Sequence, residues 1–430
     1  MSAAPKTLDP AEKVKAGKLG ASLMKAGAGI AVIFLGLSVL LGAGGEHPYK
    51  RFFYAYVIGW SFIFSVAVGA LFLVLIHHLV RARWSTTSRR VAEIITGAFP
   101  VIFLAGLGFV IPLAAGYKDL YYWAHPDAHN ASLNHVLQHK FGWLDPTFFA
   151  IRFVGYGVIY TVIARYFEKK SRQQDESGDA AISEKLRIAS APAMIIYAFT
   201  TVFIGFDVLM SLQPAWYSTI YSVTFWGSAM LAANAVLILV SLGIQRSGRL
   251  TRSITAEHYH DMGKWVFAWT FFWAYTSFSQ FMLMWYGNLP EETVYYKYRM
   301  FSEWQWVSIA LLVGHFVFPF VFLLSRWTKR IMPALVFFCV WQLVFHWVDL
   351  YWQAMPNFDW SEAAHDGIRL VTGPITGPLE GHHVGFSPVD ITVWIGLIGF
   401  FLLGLGRSMT GNLIPVKDPT LSHSLAHENF

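Results

Sequence analysis

The chain is partitioned by ten long apolar stretches, at 21–43, 52–80, 91–115, 145–168, 186–212, 217–244, 263–287, 303–325, 331–354 and 388–406. A bilayer core about 30 Å thick is crossed by about 20 apolar residues in helical conformation. Every stretch comes close to or exceeds that length, and none shows the alternation of a barrel strand. The expected fold class is all-α: a polytopic membrane protein with ten transmembrane helices. Composition bears this out, since 55% of the residues are hydrophobic and only 13% charged, about half the charged share of a soluble domain. Lys6, Lys13, Lys15 and Lys18 precede the first stretch in the manner of a signal peptide. That stretch is too long for a signal h-region and is read as a retained anchor.

Basic residues predict the orientation. One set of loops carries Lys6, Lys13, Lys15, Lys18, Arg81, Arg83, Arg89, Arg90, Lys169, Lys170, Arg172, Lys185, Arg246, Arg249, Arg252, Arg326, Lys329, Arg330, Arg407 and Lys417. The alternate set carries only Lys50, Arg51, Lys118, Lys140, Lys297, Arg299 and Arg369. The richer side is cytoplasmic, so both termini are expected there. The net charge of +6 then reports topology rather than a nucleic-acid partner. The single Cys339 excludes a disulfide framework, and equally a cysteine-ligated iron–sulfur cluster or Cys-rich zinc site built by this chain alone. No C-x-x-C-H segment is present for covalent haem.

Two halves of the sequence look alike. Pro192-Ala193, Asp207 and Pro214 are matched by Pro333-Ala334, Asp349 and Pro356, with the Asp seven residues before the second Pro in both. Ala164-Arg165-Tyr166 pairs with Ser325-Arg326-Trp327. Phe53-Tyr54 running to Ser65 pairs with Trp216-Tyr217 running to Ser228. The pattern predicts two tandem four-helix bundles in the same orientation, spans 2–5 and 6–9, flanked by spans 1 and 10. The expected organisation is a cytoplasmic segment 1–20, a first helix and loop 21–51, bundles at 52–212 and 213–354, a periplasmic loop 355–387, a last helix 388–410 and a tail 411–430.

Ionisable groups inside hydrocarbon are costly unless paired or wet, and so mark candidate sites. Asp207 and Asp349 fall at matched depth towards the outer ends of their helices, with Arg152, His346, Gln280 and Glu303 in the same layer. His315 and Asn234 lie near mid-depth, and His77, His78, Arg165 and Lys264 near the inner side. Such a layer reads as a quinone-facing or proton-transfer site, because a quinol needs hydrogen-bonding groups at its ring oxygens and acceptors for its protons. The competing reading is structural, a buried Asp207–Arg152 ion pair that fixes packing. Haem b would need two His at one depth on different helices, and His77, His78, His315 and His346 offer no such matched pair. The outer-loop His47, His125, His129, His135, His139, His365, His382 and His383 are read as contacts to a partner subunit rather than metal ligands. Segment 169–185 reads as a solvated linker. The tail, lacking an apolar run, is expected to be disordered or to lie on a partner.

Three segments carry a resemblance. Phe206-Asp207-Val208-Leu209-Met210-Ser211-Leu212-Gln213-Pro214-Ala215-Trp216-Tyr217-Ser218-Thr219-Ile220 resembles the joint between helices 5 and 6 of the polysulfide-reductase NrfD-type integral membrane subunits of bacterial alternative complex III. So do Trp285-Tyr286-Gly287-Asn288-Leu289-Pro290-Glu291-Glu292-Thr293, and Phe318-Pro319-Phe320 with Leu323-Leu324-Ser325-Arg326. The likeness covers about residues 20–410, and the Asn-Leu-Pro-Glu-Glu run is similar to the second of the two such subunits in the complex. It implies a cofactor-free membrane subunit of a quinol:electron-acceptor oxidoreductase, with a role in proton translocation and with quinone or quinol as its one candidate ligand. The implied partners are the sibling subunit, an iron–sulfur/molybdopterin-like subunit and c-type cytochromes, which would carry the clusters and haem c, together with membrane lipids. Asp207 is the site residue carried by the matching motif; Asp349, His346, Arg152, Gln280, His315, His77 and His78 follow from depth alone. Two rival expectations are a structural platform that docks redox subunits through loops 116–144 and 355–387, and a secondary transporter.

Overall fold

The computed structural model describes residues 6–44, 48–124, 138–358 and 384–428. Among these the protein is all-helical, with one isolated bridge between Lys15 and Asn412. In chain order the helices are α1 (Leu19–Gly42), α2 (Lys50–Leu79), α3 (Thr86–Thr96), α4 (Phe99–Ala114), α5 (Pro146–Ser177), α6 (Ala181–Val208), α7 (Tyr221–Arg246), α8 (Ala256–Gly287), α9 (Pro290–Met300), α10 (Trp304–Ala310), α11 (Phe318–Leu324), α12 (Arg326–Arg330), α13 (Met332–Ala354), α14 (Pro388–Ser408) and α15 (Leu421–Leu425). Leu311–Val317, between α10 and α11, winds as a π-helix.

Nine helices among the described residues are long and apolar enough to cross a membrane: α1, α2, α3 with α4, α5, α6, α7, α10 through α11, α13 and α14. The stretch 263–287 lies within the 32-residue α8 but stands outside this set. Trp, Tyr, Ser and Gln occupy positions along it where the other helices carry aliphatic residues.

The outward faces are apolar. Val32, Ile33 and Leu40 on α1, Val154, Val158 and Val162 on α5, and Ile188, Ile195 and Phe199 on α6 are each more than half exposed. Such a surface is incompatible with bulk water over this extent, and it describes a membrane-embedded protein.

Helix α2 is apolar all round and is buried between α3, α6, α7, α13 and α14. The most extensive helix pair is α1 with α14. Gly27 makes it possible, because a Cβ there would stand 2.5 Å from the Leu403 nitrogen and 2.6 Å from the Gly399 carbonyl oxygen. Small residues let two backbones touch where lipid supplies no hydrophobic drive.

Two expectations are corrected at the end of the bundle where the terminal segments lie. Residues 169–185 are not a free linker: α5 continues to Ser177 and α6 begins at Ala181. Gly178, at φ +69°, closes α5 by donating its N–H to the Gln174 carbonyl. The tail is ordered against its own chain. Leu413, Ile414 and Leu421 are buried, Leu413 N donates to Val14 O at 2.8 Å, and Arg89 pairs with Asp418. No apolar run was needed, because three buried side chains and one buried ion pair anchor it.

Candidate functional site

The two matched acids have different surroundings. At the first, Asp145 caps α5 by accepting from Phe148 N at 2.8 Å, and Pro146 sets the first turn. That start places Arg152 two turns in, facing the last turn of α6. Arg152 Nε donates to Asp207 Oδ2 and Nη2 to Oδ1, both at 2.9 Å. Trp143 Nε1 adds 2.7 Å to Oδ1, and Tyr156 OH adds 2.9 Å to Oδ2. The guanidinium also stacks on Trp143 and Phe148, with centroid distances of 4.2 and 4.4 Å. This carboxylate is bidentate-paired and its oxygens are saturated.

Asp349, in α13, is 2% exposed and among the described residues meets only neutral donors: Gln353 Nε2 at 3.0 Å, Trp273 Nε1 at 3.2 Å and Ser228 Oγ at 3.3 Å, all to Oδ2. Ser228 Oγ lies equally within reach of His346 Nδ1, at 2.6 Å, and Ser65 Oγ is 2.7 Å from His346 Nε2. Ser65 can instead donate to the Phe62 carbonyl, at 2.7 Å. Helices α2, α7 and α13 thus build a chain Ser65–His346–Ser228–Asp349.

That chain has two self-consistent proton patterns. With Asp349 ionised, Ser228 donates to the carboxylate, His346 Nδ1–H donates to Ser228, and Ser65 donates to Nε2. With Asp349 protonated, every bond reverses: the carboxyl donates to Ser228, Ser228 to Nδ1, Nε2–H to Ser65, and Ser65 to Phe62 O. The second pattern holds one proton more than the first, so passing between them takes up or gives off one proton at an end of the chain and switches the imidazole tautomer.

Asp349 and Gln280 line one cavity of about 530 Å³, together with Trp273, Phe281, Tyr295 and Trp352. His315 lies behind Trp273, ring centroids 4.2 Å apart. Next to it Gln342 donates to Thr270 Oγ1 at 2.8 Å. The structure therefore joins Asp349, His346 and Gln280, with His315 adjacent, and joins Asp207 to Arg152 separately.

His77 and His78 belong to neither group. They are buried at the far end of α2, twelve residues from Ser65, or about 18 Å along the axis. His78 Nε2 is 3.9 Å from Glu93 Oε1, and Glu93 is paired with Arg90 at 2.8 Å, which also holds Asp175 at 2.8 Å. At this end burial pushes the Asp418 carboxyl up, while the Arg89 guanidinium and Thr420 bring it below its ordinary value. Of the loop histidines only His139 lies among the described residues; His47, His125, His129, His135, His365, His382 and His383 lie outside them, as do 125–137 of loop 116–144 and 359–383 of loop 355–387.

Sequence reading missed Trp273, Gln353 and Tyr156, which carry no signal in an aromatic-rich chain. Ser65 and Ser228 are different. They are the serines aligned by the internal repeat, and the structure places both on one imidazole. No family model and no curated protein matches this chain.

Proposed function

We propose that this chain is a cofactor-free, multi-pass subunit of a bacterial quinol-oxidising complex of the alternative complex III type, and that it transfers protons through Asp349. The observation that carries the proposal is the buried carboxylate without a cation, linked by Ser228 to His346 and on to Ser65. A group kept in hydrocarbon without a fixed counter-charge and wired to an imidazole is suited to gaining and losing a proton.

Ten spans in two tandem bundles complete this reading. Both terminal segments pack together through the Lys15–Asn412 bridge, which supports an even number of crossings. Helix α8 supplies the tenth, being 32 residues, or about 48 Å, long. The positive-inside bias puts that shared end in the cytoplasm of a bacterial inner membrane. Electrons would pass through iron–sulfur and haem groups of partner subunits.

A second reading is favoured for the first bundle by the saturated Asp207–Arg152 pair. That half is a scaffold, and Asp207 is withdrawn from the proton path. The test is Asp349→Asn in the assembled complex in liposomes. Proton transfer is expected to fall about 10²-fold or more, the scale of losing a positioned acid–base group. Unchanged proton release per electron would leave only the platform function.

A further inference from the structure

We infer that the outer rim between Tyr217 and Leu289 holds the phosphoethanolamine head of a membrane phospholipid, its ammonium on Glu292 and its phosphate on Lys140. Two of the segments that carry the resemblance, 206–220 and 285–293, meet there and supply nothing to the chain at Asp349. Trp216 Nε1 donates to the Glu292 carbonyl at 3.1 Å, and the Trp216 ring stacks on Tyr295, centroids 4.1 Å apart. Trp216, Tyr217, Leu289 and Glu292 then line a cavity of about 190 Å³. That is smaller than a cavity for a drug-sized ligand, and it suits a headgroup rather than a whole lipid.

Two opposite charges stand beside Tyr217, and among the described residues neither is in an ion pair. Lys140 Nζ is 5.5 Å from the Tyr217 ring centroid and donates to the Pro214 carbonyl at 2.6 Å. An ammonium has three N–H donors, so capacity remains for an anion. Burial pushes this amine below its ordinary value, and a phosphate oxygen beside it favours the charged form. Glu292 offers the cavity a carboxylate, its main-chain carbonyl being already taken by Trp216. The remaining indole and phenol faces suit a cation.

Depth and charge choose the occupant. Trp285 and Tyr286 end the stretch 263–287, Tyr217 begins the stretch 217–244, and these three are 69%, 87% and 65% exposed. Aromatic residues at span ends mark the layer of lipid headgroups. A phosphatidylglycerol head would meet Lys140 but bring no cation to Glu292. A phosphatidylcholine head carries a cation without N–H bonds, so it cannot donate to the carboxylate. A primary ammonium one ethylene unit from a phosphodiester matches both side chains.

The site stands independently of the proton path through Asp349. The test is photolabelling of the full chain, purified with its native partners into phosphatidylcholine nanodiscs, by a phosphatidylethanolamine that carries a diazirine in its acyl chain next to the glycerol. Peptide mapping is expected to find label in 214–220 and 285–293. Unlabelled dioleoylphosphatidylethanolamine should displace it at a concentration at least tenfold lower than dioleoylphosphatidylglycerol. Glu292→Gln should reduce the label at least tenfold and abolish the preference between these two lipids. Lys140→Met should weaken labelling to a similar degree. Should Lys140→Met not accumulate, the near-isosteric Glu292→Gln decides alone. Label absent from both segments, as when a partner subunit covers this rim, overturns the proposal. So does label indifferent to Glu292→Gln, equal displacement by the two lipids, or displacement by soluble phosphorylethanolamine at the concentration at which the lipid displaces it.

Discussion

Arg152 holds Asp207 through two parallel hydrogen bonds of 2.9 Å, a fork closed further by Trp143 and Tyr156. Removing one member of a buried pair strands the other charge, which costs about 3–5 kcal/mol. Arg152→Leu is therefore expected to destabilise the protein by that order, read as thermal unfolding in detergent. The double change Arg152→Leu with Asp207→Leu should recover most of the loss, since no lone charge remains. A double variant no more stable than the single would show that the pair is not what Arg152 supplies.

Ser228 is the hinge of the second site because one hydroxyl serves both His346 and Asp349. Ser228→Ala is expected to slow proton transfer to the same degree as Asp349→Asn, while Ser228→Thr, which keeps the hydroxyl, should retain most of it. Fold is not the readout, since losing one such hydrogen bond costs only about 1 kcal/mol. Proton release in liposomes measured for the alanine, threonine and wild-type proteins checks the ordering; equal rates in all three would sink the relay.

Nine spans were legible because hydrocarbon demands long apolar runs; α8 stands outside that set, with Trp, Tyr, Ser and Gln where the others carry aliphatics. The internal repeat aligned Asp207 with Asp349, but it could not tell their surroundings apart. What differs is a neighbour on another helix. Counting from the matched Arg165 and Arg326, the counterpart of Arg152 is Val313, in the π-helix, and among the described residues no cation pairs with Asp349. Pairing is decided by rotation of packed helices, which a one-dimensional pattern does not record. The docked tail was illegible for a related reason. Its anchors, Arg89 with Asp418 and Leu413 with Ile414, are scattered singles rather than a run.

Gly27 and Gly399 set the contact between α1 and α14. A Cβ at Gly399 would lie 2.5 Å from the Ala31 nitrogen, as one at Gly27 would from Leu403. Gly27→Leu is expected to force these helices apart and cost about 1–3 kcal/mol or more, the usual scale of overpacking. Cysteine cross-linking between α1 and α14 should fall in parallel with thermal stability. Gly29, whose Cβ would meet nothing within 4 Å, is the control, and Gly29→Leu should leave both measures unchanged.

Docking of the tail is expected to depend on pH through His258. Neutral His258 accepts from Thr255 N through Nδ1, at 3.1 Å, and Nε2–H donates to Ser424 O, at 3.0 Å. Burial, and after it the adjacent His427, holds this imidazole down to about 4, against the partial lift of the Ser424 carbonyl, Asp261 and Glu257. Once the tail leaves, His258 returns towards its ordinary value of about 6.5. Above that value neither state is protonated, and docking keeps its full strength. As pH falls from about 6.5 towards 4 the detached state binds more protons, so docking weakens through that window. Spin labels at positions 251 and 423 should report a short distance at pH 7.5 and a growing long-distance population at pH 5. His258→Gln, which cannot titrate, should flatten the response. A response of equal slope in that variant would show that His258 is not its source.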